Sequence, residues 1–346
     1  MNMILSPYKS EFLGQLKSRV VMTAMTRGFA KDHKATPLMA EYYARRANDG
    51  VGLLLTEGTV IHKSGDGYNN VPHIETQEQA ETWKPILEKV HEAGSKIACQ
   101  LWHCGRISHP DFTGGVAPVS STNKPAEGLN RQNSKPYGKP QVLKADEIPG
   151  IIHLFNAAAK NALGAGFDAV EIHAGHGYLI DEFFDASVND RTDRYGGRVE
   201  NRCRFGLELT KGLIKVHGAD KVILRISPSR DLMGKVHDWP DMKEMLEYLI
   251  PELDRIGLRM LDVSCASVDW YKSSARALKL IRPLWKHLII SGASLSLEQA
   301  EAEVRKGTMD LVTWGRNILA NPDFVSKLKK GAELKEFDRE MLSTLY

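Results

Sequence analysis

Cysteine is scarce in this chain. There are four, at positions 99, 104, 203 and 265, and no two have C-x-x-C spacing. That argues against a zinc ribbon or an iron–sulfur cluster, and the sparing use of thiols suits a reducing cytoplasm. No apolar run reaches about 18 residues, so no membrane-spanning helix is expected. The opening MNMILSPYKSEF lacks a charged stretch followed by an apolar one, so no secretory signal is expected either. An excess of one charge sign is also lacking: 46 Lys and Arg stand against 43 Asp and Glu, a formal net charge of +3. The densest basic cluster, Lys327, Lys329 and Lys330, alternates with apolar residues as a solvated helix face does, and no nucleic-acid partner is expected. No G-x-G-x-x-G follows an apolar run, which removes a Rossmann dinucleotide site. Motifs of the HEGxH and G-x-S-x-G types are absent too, so hydrolytic Ser/His/Asp chemistry has no local support.

The 346 residues are ordinary for a globular chain, 42% hydrophobic and 26% charged, and long enough for one large α/β domain or two smaller ones. Eight short apolar runs punctuate the sequence: Arg19–Thr23, Gly52–Thr56, Lys96–Leu101, Asp168–His173, Val222–Ile226, Met260–Ser264, Leu288–Ser291 and Leu311–Trp314. Helical patterns follow them, among them Pro37–Asn48, Gln79–Ala93, Glu147–Leu163, Val199–Val216, Met242–Ile256 and Leu297–Lys306. Strands alternating with helices imply parallel pairing, because a parallel crossover needs a connecting helix. A doubly wound sheet would show the same alternation. Eight evenly spaced units favour a single (β/α)8 barrel over residues 1–346. The one long departure, Ser108 to Lys144, is rich in Pro, Gly, Ser and Asn and reads as an excursion over the active face after the third strand.

In a barrel the loops after the strands share one mouth. Those positions hold Thr23-Ala24-Met25-Thr26, Glu57-Gly58, Gln100 with Trp102, then His173, His176 and Tyr178, then Arg225, Ser264 with Trp270 and Tyr271, Gly292-Ala293, and Gly315-Arg316. Small residues at Gly292, Ala293 and Gly315, with a forked cation at Arg316, suit a phosphate, although tight turns alone would explain the glycines equally well. Arg225 inside a mouth must be paired or face an anion. A buried salt bridge, for instance to Glu171, explains it as well as a ligand does. The imidazoles of His173 and His176 have three readings: metal ligands, hydrogen-bond donors to an oxygen, or polar residues at a strand end. A metal site wants three or more ligands, no third is evident at another strand end, and no metal is expected there. Gln100, Trp102 and Tyr178 suit an organic ligand better.

Seven segments in order, VVMTAMTR, TEGTVI, QLWHCGR, EIHAGHGYLIDEFF, NDRTDRYGGRVENRCRFGLEL, LRISPS and WGRNILANPDFVSKL, resemble the old yellow enzyme family of FMN-dependent ene-reductases. The likeness runs from about Val20 to Leu334. The resemblance implies tightly bound FMN, with NAD(P)H as a transient reductant. Thr23, Ala24, Met25 and Thr26 would run along the flavin, with the Thr26 hydroxyl tuning it. Gly58 and Gln100 would meet its pyrimidine side, Arg225 its reduced anionic form, and Gly292, Ala293, Gly315 and Arg316 its phosphate. His173 and His176 would grip the carbonyl oxygen of an α,β-unsaturated carbonyl or nitro substrate, and Tyr178 would protonate its α-carbon after hydride transfer. Trp102, and more weakly Trp270 and Tyr271, would shape the pocket. The resemblance further implies ping-pong kinetics and a cytoplasmic monomer or homodimer. It departs where the family commonly has Ala-Pro and this chain has Thr23-Ala24, in the 108–144 excursion, and in the chain's end soon after Glu333. Two other readings stand beside it: a metal-dependent barrel hydrolase using His173 and His176, and a non-catalytic flavin-binding protein.

Overall fold

The computed structural model describes residues 2–232, 234–266 and 268–346. Eight parallel strands close on themselves: β1 (Val20–Met22), β2 (Leu53–Leu55), β3 (Lys96–Trp102), β4 (Ala169–Ala174), β5 (Val222–Ile226), β6 (Met260–Val263), β7 (Leu288–Gly292) and β8 (Leu311–Trp314). Each pairs with the next, and β8 returns to β1. This is the (β/α)8 barrel, and the doubly wound alternative, an open sheet, is excluded by that closure. The runs read from sequence match these strands to within a residue at each end. Helices α1 (Pro37–Asp49), α2 (Lys84–Glu92), α3 (Ile148–Ala165), α4 (Val199–His217), α5 (Met242–Arg255), α6 (Ser274–Ile281), α7 (Leu297–Arg305) and α8 (Phe324–Lys330) follow the strands in turn. Among the described residues no helix is long and apolar enough to cross a membrane.

Alternation along each strand decides what faces inward. Ile97, Cys99 and Leu101 on β3, with Val170, Ile172 and Ala174 on β4, join the core between strands and helices. Ala98, Ala169, Ile223 and Met260 instead meet Val21, Leu53, Leu55, Ile290 and Leu311 inside the barrel. A hairpin of Tyr8–Ser10 and Gly14–Leu16 closes that end, burying Leu13 and Leu16 against the same cluster. Two residues further up, the inward positions turn polar: Gln100, Glu171, Arg225 and Asp262, all buried. The barrel is thus an apolar plug below and a polar floor above, and the floor faces the mouth formed by the strands' C-terminal ends.

One expected helix is two. The pattern Gln79–Ala93 breaks into Gln77–Glu81 and α2. Thr82 turns its hydroxyl back onto the Gln79 carbonyl at 2.6 Å, and Pro85 has no N–H to continue the ladder. Helix α1 is capped by Thr36, which accepts the Met39 N–H, and ends at Gly50 with φ 110°. The 108–144 excursion is mostly irregular, with Val119–Ser120 paired to Gln141–Val142.

Two elements were not legible in the sequence pattern. A short helix, Leu179–Phe184, follows Tyr178 and is buried on every side. A hairpin of Ser229–Leu232 and Lys235–Asp238 rises after β5. They are tied together by Arg230, 3% exposed, which lies 3.3 Å from Asp181 and 2.9 Å from Asp185. Trp239 and His237 donate to the same two carboxylates. Removing Arg230 leaves two buried carboxylates short of their cation, so Arg230→Ala should cost about 3–5 kcal/mol in urea unfolding. A loss under about 1 kcal/mol would show that this clamp does not hold the helix.

Candidate active site

Arg225 stands at the centre of the polar floor. Its Nη1 lies 3.7 Å from Glu171 Oε1 and 3.6 Å from Asp262 Oδ2. The same nitrogen donates to Thr23 Oγ1 at 3.1 Å, and Nη2 donates to Ser264 Oγ at 2.7 Å. Gln100 donates to Glu171 Oε1 at 2.7 Å. Two carboxyls therefore face one guanidinium, and both are buried to 1% exposure or less. Burial, with Asp262 alongside, lifts the Glu171 carboxyl to about 8. Burial also raises Asp262, against the pull of Arg225. With one cation for two acids, one of the pair keeps its proton at neutral pH.

Above the floor the two histidines and the tyrosine do come together. The ring centroids of His173 and His176 are 5.2 Å apart, and those of His173 and Tyr178 are 4.9 Å apart. Trp102 packs edge-on to Tyr178 at 5.0 Å and stacks near His173 at 6.4 Å. His176 takes up φ 58°, with Gly177 next to it at φ 81°. This left-handed turn folds His176 back over His173. Burial, then the neighbouring cations, holds both imidazoles well below their ordinary range, so both are neutral at pH 7. The His173 Nδ1 is buried with no protein partner. Ser264 Oγ is 3.3 Å from His176 Nε2. That oxygen accepts from Arg225 and keeps both a proton and a second lone pair with which to meet His176 Nε2. Burial raises the Tyr178 phenol well above its ordinary value, keeping it protonated. Its hydroxyl meets Tyr68 at 3.1 Å.

The remaining expected residues divide. Thr23, Ala24 and Met25 are half-buried and Thr26 is exposed, so this loop is open on one side. Gly58 has no room for a side chain, since a Cβ there would come within 2.4 Å of the Trp102 ring. Ala293 adopts φ 115° beside Gly292 at φ 149°, a backbone that alanine rarely takes and that marks local strain. The Ala293 N–H is already given to Thr313 O at 2.9 Å, so that amide is not free to grip an anion. Arg316 is exposed, its guanidinium 5.6 Å from the Phe337 ring. Trp270 is not brought to the histidine pair. It is 1% exposed in the main core and donates to Ser291 Oγ at 3.0 Å, with Tyr271 packed on its edge at 5.0 Å.

The profile of the NADH:flavin oxidoreductase / NADH oxidase family matches residues 4–335. Among curated proteins, 12-oxophytodienoate reductase 1 of Oryza sativa subsp. japonica is 39% identical over 348 residues, covering 99% of this chain and 89% of that protein. Among solved structures, the old yellow enzyme homologue of Zymomonas mobilis is 34% identical, with TM-score 0.91 over 98% of this chain and 96% of that one. Morphinone reductase, also 34% identical, has TM-score 0.89 over 99% and 93%. The chain belongs to the old yellow enzyme family. It is an NAD(P)H-dependent flavin oxidoreductase with FMN as cofactor.

The mouth fits such a cofactor. Arg225 Nε on the floor and His173 Nδ1 on the wall are buried polar atoms without protein partners. Buried polar groups are ordinarily satisfied, so unsatisfied ones at a mouth mark a ligand's place. Sequence reasoning missed Tyr68, Ser264's bridging hydroxyl and Asp262. Each enters through contact across strands rather than through a local pattern, and only the inward alternation of β6 could have flagged Asp262.

The floor carries a stability signature. The folded Glu171 carboxyl sits near 8 against an ordinary 4.5, so the native state holds that proton longer than the unfolded chain. Its contribution is complete below about pH 4.5 and is lost as pH rises through 8. The melting temperature should therefore fall between about pH 4.5 and 8 and level off above 8, and Glu171→Gln should flatten that fall. Parallel slopes for the two proteins would place the proton elsewhere.

Proposed function

We propose that this enzyme reduces the C=C bond of α,β-unsaturated carbonyl or nitro compounds, with NAD(P)H as electron source and the whole chain as one FMN-binding domain. The observation that carries the reading is the pairing of two neutral imidazoles with a protonated phenol on one wall of the mouth. The chemistry FMN supplies when bound is reversible uptake and donation of hydride.

The chain's own groups divide the rest of the work. His173 and His176 donate hydrogen bonds to the substrate's carbonyl or nitro oxygen and stabilise the charge that gathers there. Neutral rings suit this task, because each offers a donor without first binding a proton from solvent. Donors aimed at a developing oxyanion are worth about 2.7–4 kcal/mol each where measured. Tyr178, protonated through the neutral range, delivers a proton to the α-carbon. Trp102 forms the wall beside both. Arg225, Gln100 and the open Thr23–Thr26 loop would hold the cofactor's ring, and Arg316 with the Gly315 turn would hold its phosphate. Gly292 and Ala293 then shape that turn rather than supply free amides. Trp270 supports the loop after β6 from behind, and exposed Tyr271 stays a weaker candidate for the rim.

Supporting the hydrogen-bonding role over a metal-binding one, no third His, Cys, Asp or Glu joins His173 and His176 in a ligand-like cluster among the described residues. Stopped-flow measurements separate the two half-reactions. Tyr178→Phe should leave flavin bleaching by NAD(P)H intact and slow reoxidation by 2-cyclohexenone by about 10²-fold; equal slowing of both would remove Tyr178 as the proton source. The double variant His173→Ala/His176→Ala should retain the yellow cofactor and lose binding of phenolic ligands. Undiminished phenol binding would refute the carbonyl-gripping role.

A further inference from the structure

Away from the flavin side of the mouth, three side chains converge that no step above uses. Asp66 and His73 are buried, at 3% and 5% exposure, with His73 Nε2 3.0 Å from Asp66 Oδ2. His33 Nδ1 is 3.9 Å from the same oxygen and 3.0 Å from the Val71 carbonyl. All three side-chain donor atoms lie within 4.8 Å of one another. We propose that His33, Asp66 and His73, with the Val71 carbonyl, form a zinc-type divalent metal site that braces the segment carrying Tyr68.

The geometry suits a small ion. Bonds of about 2.0–2.1 Å to nitrogen and oxygen in a tetrahedron put neighbouring donors roughly 3.3 Å apart. The separations of 3.0, 3.0 and 3.9 Å fall on either side of that value. Two imidazoles with a single carboxylate favour zinc and its transition-metal neighbours over magnesium or calcium, which take oxygen ligands. Without an ion the cluster is held by protons. Asp66 and the Val71 carbonyl only accept, so His73 Nε2 and His33 Nδ1 each carry the hydrogen that faces them. A metal would replace those two N–H bonds, and each ring would hold its proton on the other nitrogen.

His33 reaches this position through an unusual backbone. Asp32 and His33 are successive non-glycine residues at φ 54° and 59°, and His33 stacks on His73 with centroids 3.8 Å apart. On its other side Asp66 is tied to the active mouth. Oδ1 accepts the N–H groups of Gly67 at 2.7 Å and Tyr68 at 3.1 Å. Tyr68 in turn packs on Trp102 at 4.8 Å and meets the Tyr178 hydroxyl. An ion on Oδ2 would hold the carboxylate in the rotamer that presents Tyr68. The site is structural, because no substrate-facing group touches it.

The FMN-loaded protein, stripped with dipicolinate and titrated with ZnCl2 against a chromophoric zinc chelator, decides the matter. The expected result is one zinc per chain, a raised melting temperature, and no comparable rise with Mg²⁺ or Ca²⁺. His33→Asn should bind zinc at least tenfold more weakly while keeping its flavin spectrum, since asparagine tolerates the left-handed backbone. His73→Gln should do the same, and His176→Ala should leave zinc uptake unchanged. Zinc affinity and melting shift that are the same in wild type, His33→Asn and His73→Gln would overturn the site. So would loss of uptake in His176→Ala. The result is independent of whether the enzyme reduces enones.

Discussion

The buried guanidinium of Arg225 is the constraint around which the mouth is arranged. A cation inside a barrel is tolerable only if it is paired and hydrogen-bonded. Here β4, β5 and β6 bring Glu171, Arg225 and Asp262 to one level, with Arg225 in register with Asp262 on one side and His173 on the other. Thr23 from β1's end and Ser264 from β6's end accept from its two terminal nitrogens. Four inward side chains thus depend on one charge. Because two acids share it, the cluster does not present a bare cation, and it holds a proton near the pH at which the enzyme would work.

That charge also reaches the histidine pair. Arg225 contributes to depressing both histidines, and through Ser264 it is linked to His176. The neutrality of the imidazoles is set first by their own burial and reinforced by the floor. Tyr178 escapes this influence. Its phenol is kept protonated by burial and by Tyr68. The imidazoles and the phenol are thus held in their protonation states by different neighbours.

The barrel was legible because its strands are fully buried, and strands buried on both faces read as continuous apolar runs. The histidine pair and Tyr178 were legible because they follow one strand closely. What sequence pattern could not show came from tertiary contact. Asp262 looks like any polar residue in MLDVS until β5 lies beside it. Trp270 follows a strand end as a pocket residue would, yet its indole turns into the core toward Ser291. The break in Gln79–Ala93 was written in Thr82 and Pro85, but apolar periodicity continues across it and hides the kink. His33, Asp66 and His73 are loop residues with no period at all, and only the fold places them together.

The loops over the mouth are held by buried acids, not by loop chemistry of their own. Glu182, on the short helix after Tyr178, accepts the Arg106 N–H at 2.7 Å and the Ser121 N–H at 3.3 Å, and also takes the Ser120 hydroxyl. Asp181, one residue earlier, accepts the Gly177 N–H at 2.6 Å and faces Arg230 of the β5 hairpin. That one helix therefore fixes the turn carrying His176, anchors the 108–144 excursion and pins the hairpin opposite. The excursion in turn touches the Tyr68 segment, where Gln132 accepts the Asn69 N–H at 3.2 Å. The irregular excursion and the buried helix are thus parts of one connected frame.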